Sequence, residues 1–236
     1  MNMSEEVEEC GFFEGYTLQR FLIITAFSVI SAFGVIANAL LMAVFWRTLP
    51  SSIYLAALGT MDMLICLTYL LLFGVDAGFV YLKDTTLFFL YHCYIVPIFF
   101  IAKVVQFAIP FILILITLER YLWTTREKTR SSRSKRSQLR NAIYTMFAIV
   151  MSYLVCNGVH LFLTFLERAD SSLLYDSDDQ NQSSNFYIAL SDTVSICYMV
   201  SSAIRILIYA KCNPKLRAEI SDYLRNTKDN LTEAET

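Results

Sequence analysis

The chain has few of the residues on which metal sites and most enzyme active sites depend. Its 236 residues include two histidines, His92 and His160, and no C-x-x-C pair, so the ligand spacing typical of zinc sites is missing. The sequence also lacks the H-E-x-x-H, G-x-S-x-G and phosphate-loop patterns. We therefore expect no metal, no cofactor and no enzymatic activity.

Charged residues are also scarce. They make up 17% of the chain, whereas hydrophobic residues make up 56%, more than a water-soluble surface normally carries. The apolar residues form runs near the ~20 residues that a helix needs to cross about 30 Å of hydrocarbon. Alternating segments of about ten residues, typical of membrane barrels, do not occur. The composition thus predicts an all-α membrane protein.

Five apolar runs predict a bundle of five transmembrane helices over residues 21–210, after an extracellular N-terminus of residues 1–20. The predicted spans are residues 21–46, 53–75, 96–118, 142–166 and 186–209. Pro97 and Pro110 punctuate the third run, which is longer than one crossing requires, so we expect a separate outer segment before that span. Asn213-Pro214 predicts the start of an amphipathic surface helix over residues 213–225, followed by a cytoplasmic tail over residues 226–236.

Basic residues predict the direction of the spans. The loop between the third and fourth spans contains Arg126, Lys128, Arg130, Arg133, Lys135, Arg136 and Arg140. A short loop this basic stays in the cytoplasm and touches anionic lipid, so we expect no nucleic-acid partner. Alternation then places the N-terminus outside and the C-terminus inside. We expect the protein to lie in the plasma membrane. Asn181 lies in an external acidic loop and begins a sequon, which makes it a candidate glycosylation site.

Charged residues also occur inside the apolar runs, where each one needs a partner or a wet cavity. Asp62 lies midway along the second span and Arg205 lies in the inner part of the fifth. We predict that these two residues pair. The alternative is that each side chain separately finds water or a backbone partner. Lys103, in the outer half of the third span, has Asp192 as a candidate counter-ion.

Five of the six cysteines fall into two groups. Cys66, Cys156 and Cys197 lie inside apolar runs and are expected to be small buried hydrophobic residues. Cys10 and Cys93 lie on the side assigned as external, where a disulfide can form. Cys93 therefore either pairs with Cys10 or carries a free thiol.

Five short motifs follow one another in a particular order along the spans. They are Gly34-x-x-x-Asn38, Leu58-Gly59-Thr60-Met61-Asp62, Glu119-Arg120-Tyr121, Tyr153-x-x-Cys156-Asn157-Gly158-Val159, and Arg205-Ile206-Leu207-Ile208-Tyr209. They resemble, in order, the GxxxN, LAxxD, D/E-R-Y, FxxCWxP and NPxxY motifs of rhodopsin-like (class A) G-protein-coupled receptors. In that family an amphipathic eighth helix follows, as is predicted here.

The chain departs from this family in ways that matter. Nothing resembles the fourth and fifth helices, so the five spans correspond to helices one, two, three, six and seven of a shortened receptor. The family's disulfide ends in a loop that is absent here. Asn157 and Val159 replace a tryptophan and a proline, and Arg205 replaces the asparagine of the last motif. By resemblance, Arg205 would supply the positive charge that a sodium ion supplies beside the aspartate matching Asp62. These departures resemble divergent nematode peptide receptors.

The resemblance implies a receptor for an extracellular ligand, a neuropeptide or another small signal. Glu119 would restrain Arg120 at rest, and Arg120 and Tyr209 would rearrange on activation of a heterotrimeric G protein. The candidate ligand contacts are Lys103, Asn157, His160 and Asp192. Without the fifth helix, part of the ligand pocket and of the G-protein surface is missing. We therefore expect impaired signalling, with full-length receptor relatives as partners.

A small transporter or channel is the alternative function. Asp62, Lys103 and Arg205 would then line a substrate path through the membrane. Such a protein is expected to contain internal repeats or interrupted helices in matching positions, and the sequence contains neither.

Overall fold

The computed structural model describes residues 18–48, 53–127, 133–169, 174, 184–212 and 217–225. No strand occurs in this part of the chain. The helices are α1 (Leu18–Thr48), α2 (Ile53–Tyr69), α3 (Val75–Leu82), α4 (Thr85–Glu127), α5 (Arg133–Arg168), α6 (Asn185–Ala203), α7 (Arg205–Cys212) and α8 (residues 217–225). A π-helical turn, Leu70–Gly74, joins α2 to α3 without a break.

Five segments within the described residues are long and apolar enough to cross a membrane. We number them spans 1 to 5: Leu18–Trp46, Ile53–Leu82, Thr85–Glu119, Phe147–Arg168 and Asn185–Lys211. Each exceeds the ~20 residues that cover the hydrocarbon core of a bilayer. The predicted all-α membrane bundle is confirmed, and the chain is an integral membrane protein.

The bundle has an apolar exterior and several polar residues in its interior. Phe107 and Phe165 on the outer surface are 70% and 68% exposed, an arrangement that suits hydrocarbon and not water. Ser31, Asn38 and Asp62 are instead buried between the helices. In a bilayer, apolar side chains gain little by moving from lipid into the bundle, so close packing and interhelical hydrogen bonds hold the helices together.

The helices extend beyond the predicted spans at several points. Span 2 continues to Leu82, and the separate outer segment expected before span 3 belongs to α4, a single 43-residue helix. Pro97 and Pro110 lie inside this helix without ending it, as membrane helices tolerate because neighbouring groups satisfy the freed backbone carbonyls. Span 5 is less regular than predicted, because α6 ends at Ala203 and α7 begins at Arg205.

The spans alternate in direction, so each end of the bundle gathers residues from several helices. Arg20, Asp76 and Glu167 lie at one end, which we call the Arg20 end. Glu119 and Tyr209 lie at the other, which we call the Glu119 end. At this second end an apolar groove of about 580 Å³ separates span 3 from span 4. Its wall includes Pro110, Leu113, Ile114, Thr117, Leu118, Tyr121, Val150 and Tyr153.

Candidate functional site

A buried ion pair lies in the interior of the bundle. Nη1 of Arg205 donates to Oδ1 of Asp62 at 2.6 Å and to Oδ2 at 2.5 Å. The two side chains are only 3% and 1% exposed. The structure thus brings together the two intramembrane charges that the sequence predicts to pair. Each one neutralises the other where an isolated charge would be costly.

Hydrogen bonds extend this pair into a polar layer that joins spans 1, 2 and 5. Oγ of Ser202 donates to Oδ1 of Asp62 at 2.9 Å. Nδ2 of Asn38 donates to the carbonyl oxygens of Gly34 and Ser202 at 2.9 and 3.1 Å. Asn38 therefore links span 1 to the turn of span 5 in which Ser202 donates to the carboxylate of Asp62. This geometry gives the GxxxN pattern a physical role in packing.

Gly34 makes this close approach possible. A Cβ atom added at Gly34 would lie 2.6 Å from Sγ of Cys66 and 2.9 Å from Cβ of Ala203. Spans 2 and 5 therefore both touch the bare backbone of span 1 at this point, as small residues allow in membrane bundles. The predicted helix-packing pair, Gly34 and Asn38, lies at the junction of the three spans.

An interruption in span 5 positions Arg205. Ile204, with φ −79° and ψ −7°, separates α6 from α7. The backbone nevertheless stays bonded, because N of Ile204 donates to the carbonyl of Val200 at 3.0 Å and N of Leu207 donates to that of Ile204 at 2.9 Å. No proline or glycine marks this point in the sequence, so pattern reasoning missed it. Two serines in the preceding turn, Ser201 and Ser202, are its one compositional signal, since serine pairs are a known cause of kinks.

A cavity of about 400 Å³ opens at the Arg20 end, and all five spans contribute to its wall. Spans 1 to 4 place one charged side chain each in the lining: Arg20, Asp76, Lys103 and Glu167. Span 5 contributes tyrosines, of which Tyr198 is buried and Tyr187 donates to Oε1 of Glu167 at 3.1 Å. The cavity thus combines charged groups, hydroxyls and aromatic rings, a lining suited to a ligand with both polar and apolar parts.

The π-helical turn sets which residues of span 2 face this cavity. Such a turn adds one residue to a helix and rotates everything beyond it. Two tyrosines of α4 hold the widened turn: the hydroxyls of Tyr91 and Tyr94 donate to the carbonyls of Leu72 and Leu71, each at 3.0 Å. Tyr69, on the near side of the turn, and Asp76, beyond it, both line the cavity as a result.

The four candidate ligand contacts have different positions. Lys103 and His160 line the cavity. Asn157 instead supports one of its walls, because its Oδ1 accepts a hydrogen bond from the hydroxyl of Tyr198 at 2.8 Å. Its Nδ2 donates to the carbonyl of Tyr153 at 3.0 Å. Asn157 therefore acts on the cavity through Tyr198, whose ring lies edge-on to that of His160 at 6.2 Å.

The proposed pairing of Lys103 with Asp192 is wrong. Asp192 accepts from Nε of Arg20 at 2.9 Å and from Nη2 of the same side chain at 3.2 Å. Arg20 lies in the segment predicted to precede the first span, but α1 already begins at Leu18. The signal that could have identified this pair is that Arg20 directly precedes the outer end of the first predicted span and Asp192 lies near the outer end of the fifth. Lys103 places its Nζ 5.2 Å from the centre of the Phe99 ring instead.

The residues matching the family's activation motifs lie towards the Glu119 end. Tyr121 is 64% exposed and lines the apolar groove, whereas Tyr209 is 5% exposed and packs edge-on against Phe45 at 5.7 Å. Oε2 of Glu119 is buried and has no hydrogen-bond partner within the described part of the chain. Arg120 belongs to α4, but its side chain is outside the described residues. The predicted restraint of Arg120 by Glu119 therefore stays a prediction.

Several other predicted sites have only partial outcomes. Cys93 carries an exposed free thiol, one of its two predicted states, and Cys10 lies outside the described residues. Cys66 and Cys156 are buried as expected, whereas Cys197 is only partly buried. The sequon at Asn181 and the Asn213-Pro214 helix start also lie outside the described residues. Within the predicted amphipathic helix, residues 217–225 are helical, and Ile220 and Tyr223 pack against the core.

The fold and the site together define a five-span integral membrane protein with a mixed polar and aromatic cavity at one end. No family model, curated protein or solved structure matches this chain. The resemblance to rhodopsin-like receptors therefore rests on the sequence motifs.

Proposed function

We propose that the chain is a receptor-like membrane protein that binds an extracellular ligand in the cavity at the Arg20 end. The observation that carries the proposal is the wall of this cavity, to which all five spans contribute. A volume of about 400 Å³ suits a small molecule or the end of a peptide. The basic loop at the opposite end predicts that the cavity faces the outside of the plasma membrane.

We further propose that signalling through a heterotrimeric G protein is impaired. The sequence has no counterpart of two family helices, and the apolar groove between spans 3 and 4 lies at the Glu119 end, where the resemblance places the G-protein surface. Tyr121 of the family-like triplet points into this groove. A chain of this kind would bind ligand and modulate full-length relatives by association.

The transporter or channel alternative has less support. It requires Asp62 and Arg205 to line a path, yet these residues bond to each other and are buried on all sides. Neither one contributes to the wall of the cavity, so Lys103 is the one residue of the predicted path that a solute in the cavity would meet.

The proposed function predicts ligand binding without G-protein activation. Membranes that contain this chain alone are incubated with pooled synthetic peptides, and peptide retention is measured beside nucleotide exchange on added G proteins. We expect at least one pool to be retained and exchange to stay at its basal rate. A ligand-dependent rise in exchange would refute the impairment, and failure to retain any pool would refute a peptide ligand.

A matched pair of variants shows whether retained peptide occupies the cavity. Ser195 lines the cavity, whereas Thr193, two residues earlier on the same helix, is exposed on the outer surface of the bundle. Ser195→Trp fills part of the cavity and is expected to lower retention at least tenfold. Thr193→Trp adds the same ring outside the cavity and is expected to leave retention unchanged.

A further inference from the structure

Lys103 differs from Arg20, the other basic residue of the cavity, in how its charge is balanced. Arg20 has Asp192 as its partner, and Glu167 accepts a hydrogen bond from Tyr187. Lys103 contacts the face of the Phe99 ring, and no acid lies within ion-pair distance of it in the part of the chain that the structure describes. Within the described residues, the cavity wall therefore includes one ammonium group without a carboxylate at ion-pair distance.

The location of Lys103 makes this imbalance significant. It lies well inside span 3, where an ammonium group without a counter-ion is unfavourable. Its contact with the ring of Phe99, at 5.2 Å, offsets part of this cost, since an aromatic face attracts a cation only weakly. An anion entering the cavity would provide the full charge partner.

A second donor lies beside Lys103. Gln106, one helical turn further along α4, also lines the cavity, and residues three apart on a helix share a face. Its amide N–H groups and the Lys103 ammonium are both donors that a carboxylate accepts from. Asp76 and Glu167 lie in the same wall and disfavour a second anionic group on the ligand.

We propose that the cavity binds a monocarboxylate whose anionic group contacts Lys103 and Gln106 and whose aromatic body packs against Phe99 and Tyr198. This inference rests on the proposed function and adds the chemical class of the ligand. A small aromatic acid and the C-terminal carboxylate of a peptide both have this chemistry. The test therefore includes one probe of each kind.

The test measures binding of matched acids and amides to the purified full chain in lipid nanodiscs. The small probes are 3-phenylpropionate and 3-phenylpropanamide, and the peptide probes are Gly-Gly-Phe with a free or an amidated C-terminus. We expect at least one acid to bind at least tenfold more tightly than its amide. Preference for the peptide acid alone would identify a peptide end, and preference for the small acid alone would identify a small ligand.

Substitutions then locate the preference. Lys103→Met keeps a long apolar stem but removes the charge, so it should abolish the preference for the acid, whereas Lys103→Arg should keep it. Lys83→Met removes a lysine at the turn between α3 and α4, outside the cavity, and should change nothing. The thermal unfolding temperature of each variant shows whether it has folded.

Three results would overturn the proposal: equal binding of acid and amide, no binding of either acid, or a preference that survives in folded Lys103→Met. If peptides are retained in the membrane assay without dependence on Lys103, the receptor proposal stands and this one fails. If acids bind at Lys103 but no peptide pool is retained, this proposal stands with a small acid as the ligand, and a peptide ligand is refuted.

Discussion

Reversing the charge of Asp62 or Arg205 alone is expected to remove most of the folded protein from the membrane. Asp62→Arg places two cations, and Arg205→Asp two anions, where the structure has an ion pair with almost no exposure. Breaking a buried pair costs about 3–5 kcal/mol because it leaves an uncompensated charge. This loss is a large part of the roughly 5–15 kcal/mol by which proteins are stable. We expect the yield of monodisperse protein to fall at least tenfold for either variant.

The double reversal, Asp62→Arg with Arg205→Asp, tests whether the two residues stabilise the bundle through each other. It restores one charge of each sign and should recover part of the lost yield and thermal stability. Ser202→Ala is a milder control, because it removes a single hydrogen bond to the charged Oδ1 of Asp62 and is expected to cost about 1.5–3 kcal/mol. A double variant no more stable than either single variant would show that the pair does not act as a unit.

Gly34→Ala is expected to destabilise the bundle by about 1–3 kcal/mol, the usual cost of overpacking a tight site. The added methyl would lie 2.6 Å from Sγ of Cys66 and 2.9 Å from Cβ of Ala203, so spans 2 and 5 must both shift away from span 1. The shift of span 5 also strains the hydrogen bond from Asn38 to the carbonyl of Ser202. The change is measured as the thermal unfolding temperature of the purified protein.

Gly158→Ala is the matched control for this substitution. A Cβ atom added at Gly158, in span 4, meets nothing within 4 Å. Because alanine favours helix over glycine by about 0.8–1.0 kcal/mol, Gly158→Ala should leave stability unchanged or raise it. The same chemical change thus has opposite expected signs at the two sites. If Gly34→Ala unfolds at or above the wild-type temperature, the close approach of the three spans is wrong.

The bundle could be predicted from the sequence because the bilayer restricts what a chain can do. Long apolar runs have few alternatives to spanning helices, and five of them occur. The pairing of Asp62 with Arg205 followed from the same restriction, since opposite charges on two spans can neutralise each other in lipid. The features that escaped prediction depend on rotation about a helix axis. Neither the π-helical turn at Leu70–Gly74 nor the break at Ile204 contains a proline. Neither one needs a backbone conformation that only glycine readily adopts, so the sequence does not mark them.

The cavity could be predicted only in part for the same reason. Lys103 and His160 could be predicted as ligand contacts because they are polar residues within apolar runs. Asp76 and Glu167 lie near the ends of spans, where charges are ordinary, and only the three-dimensional packing shows that they face the cavity. Arg20 was assigned to the wrong side of a helix boundary, which led to the wrong partner for Asp192.

The proposed opening of the cavity to the outside of the cell is tested by labelling engineered cysteines with a membrane-impermeant thiol reagent on intact cells. Cys10, Cys93 and Cys212 are first replaced by serine to lower the background. Ser191→Cys then places a thiol in the wall of the cavity, and Ser221→Cys places one on the exposed surface of α8 at the opposite end.

We expect the reagent to modify Ser191→Cys on intact cells and to modify Ser221→Cys only after the membrane is permeabilised. Labelling of Ser221→Cys on intact cells, with Ser191→Cys protected until permeabilisation, would show that the cavity faces the cytoplasm.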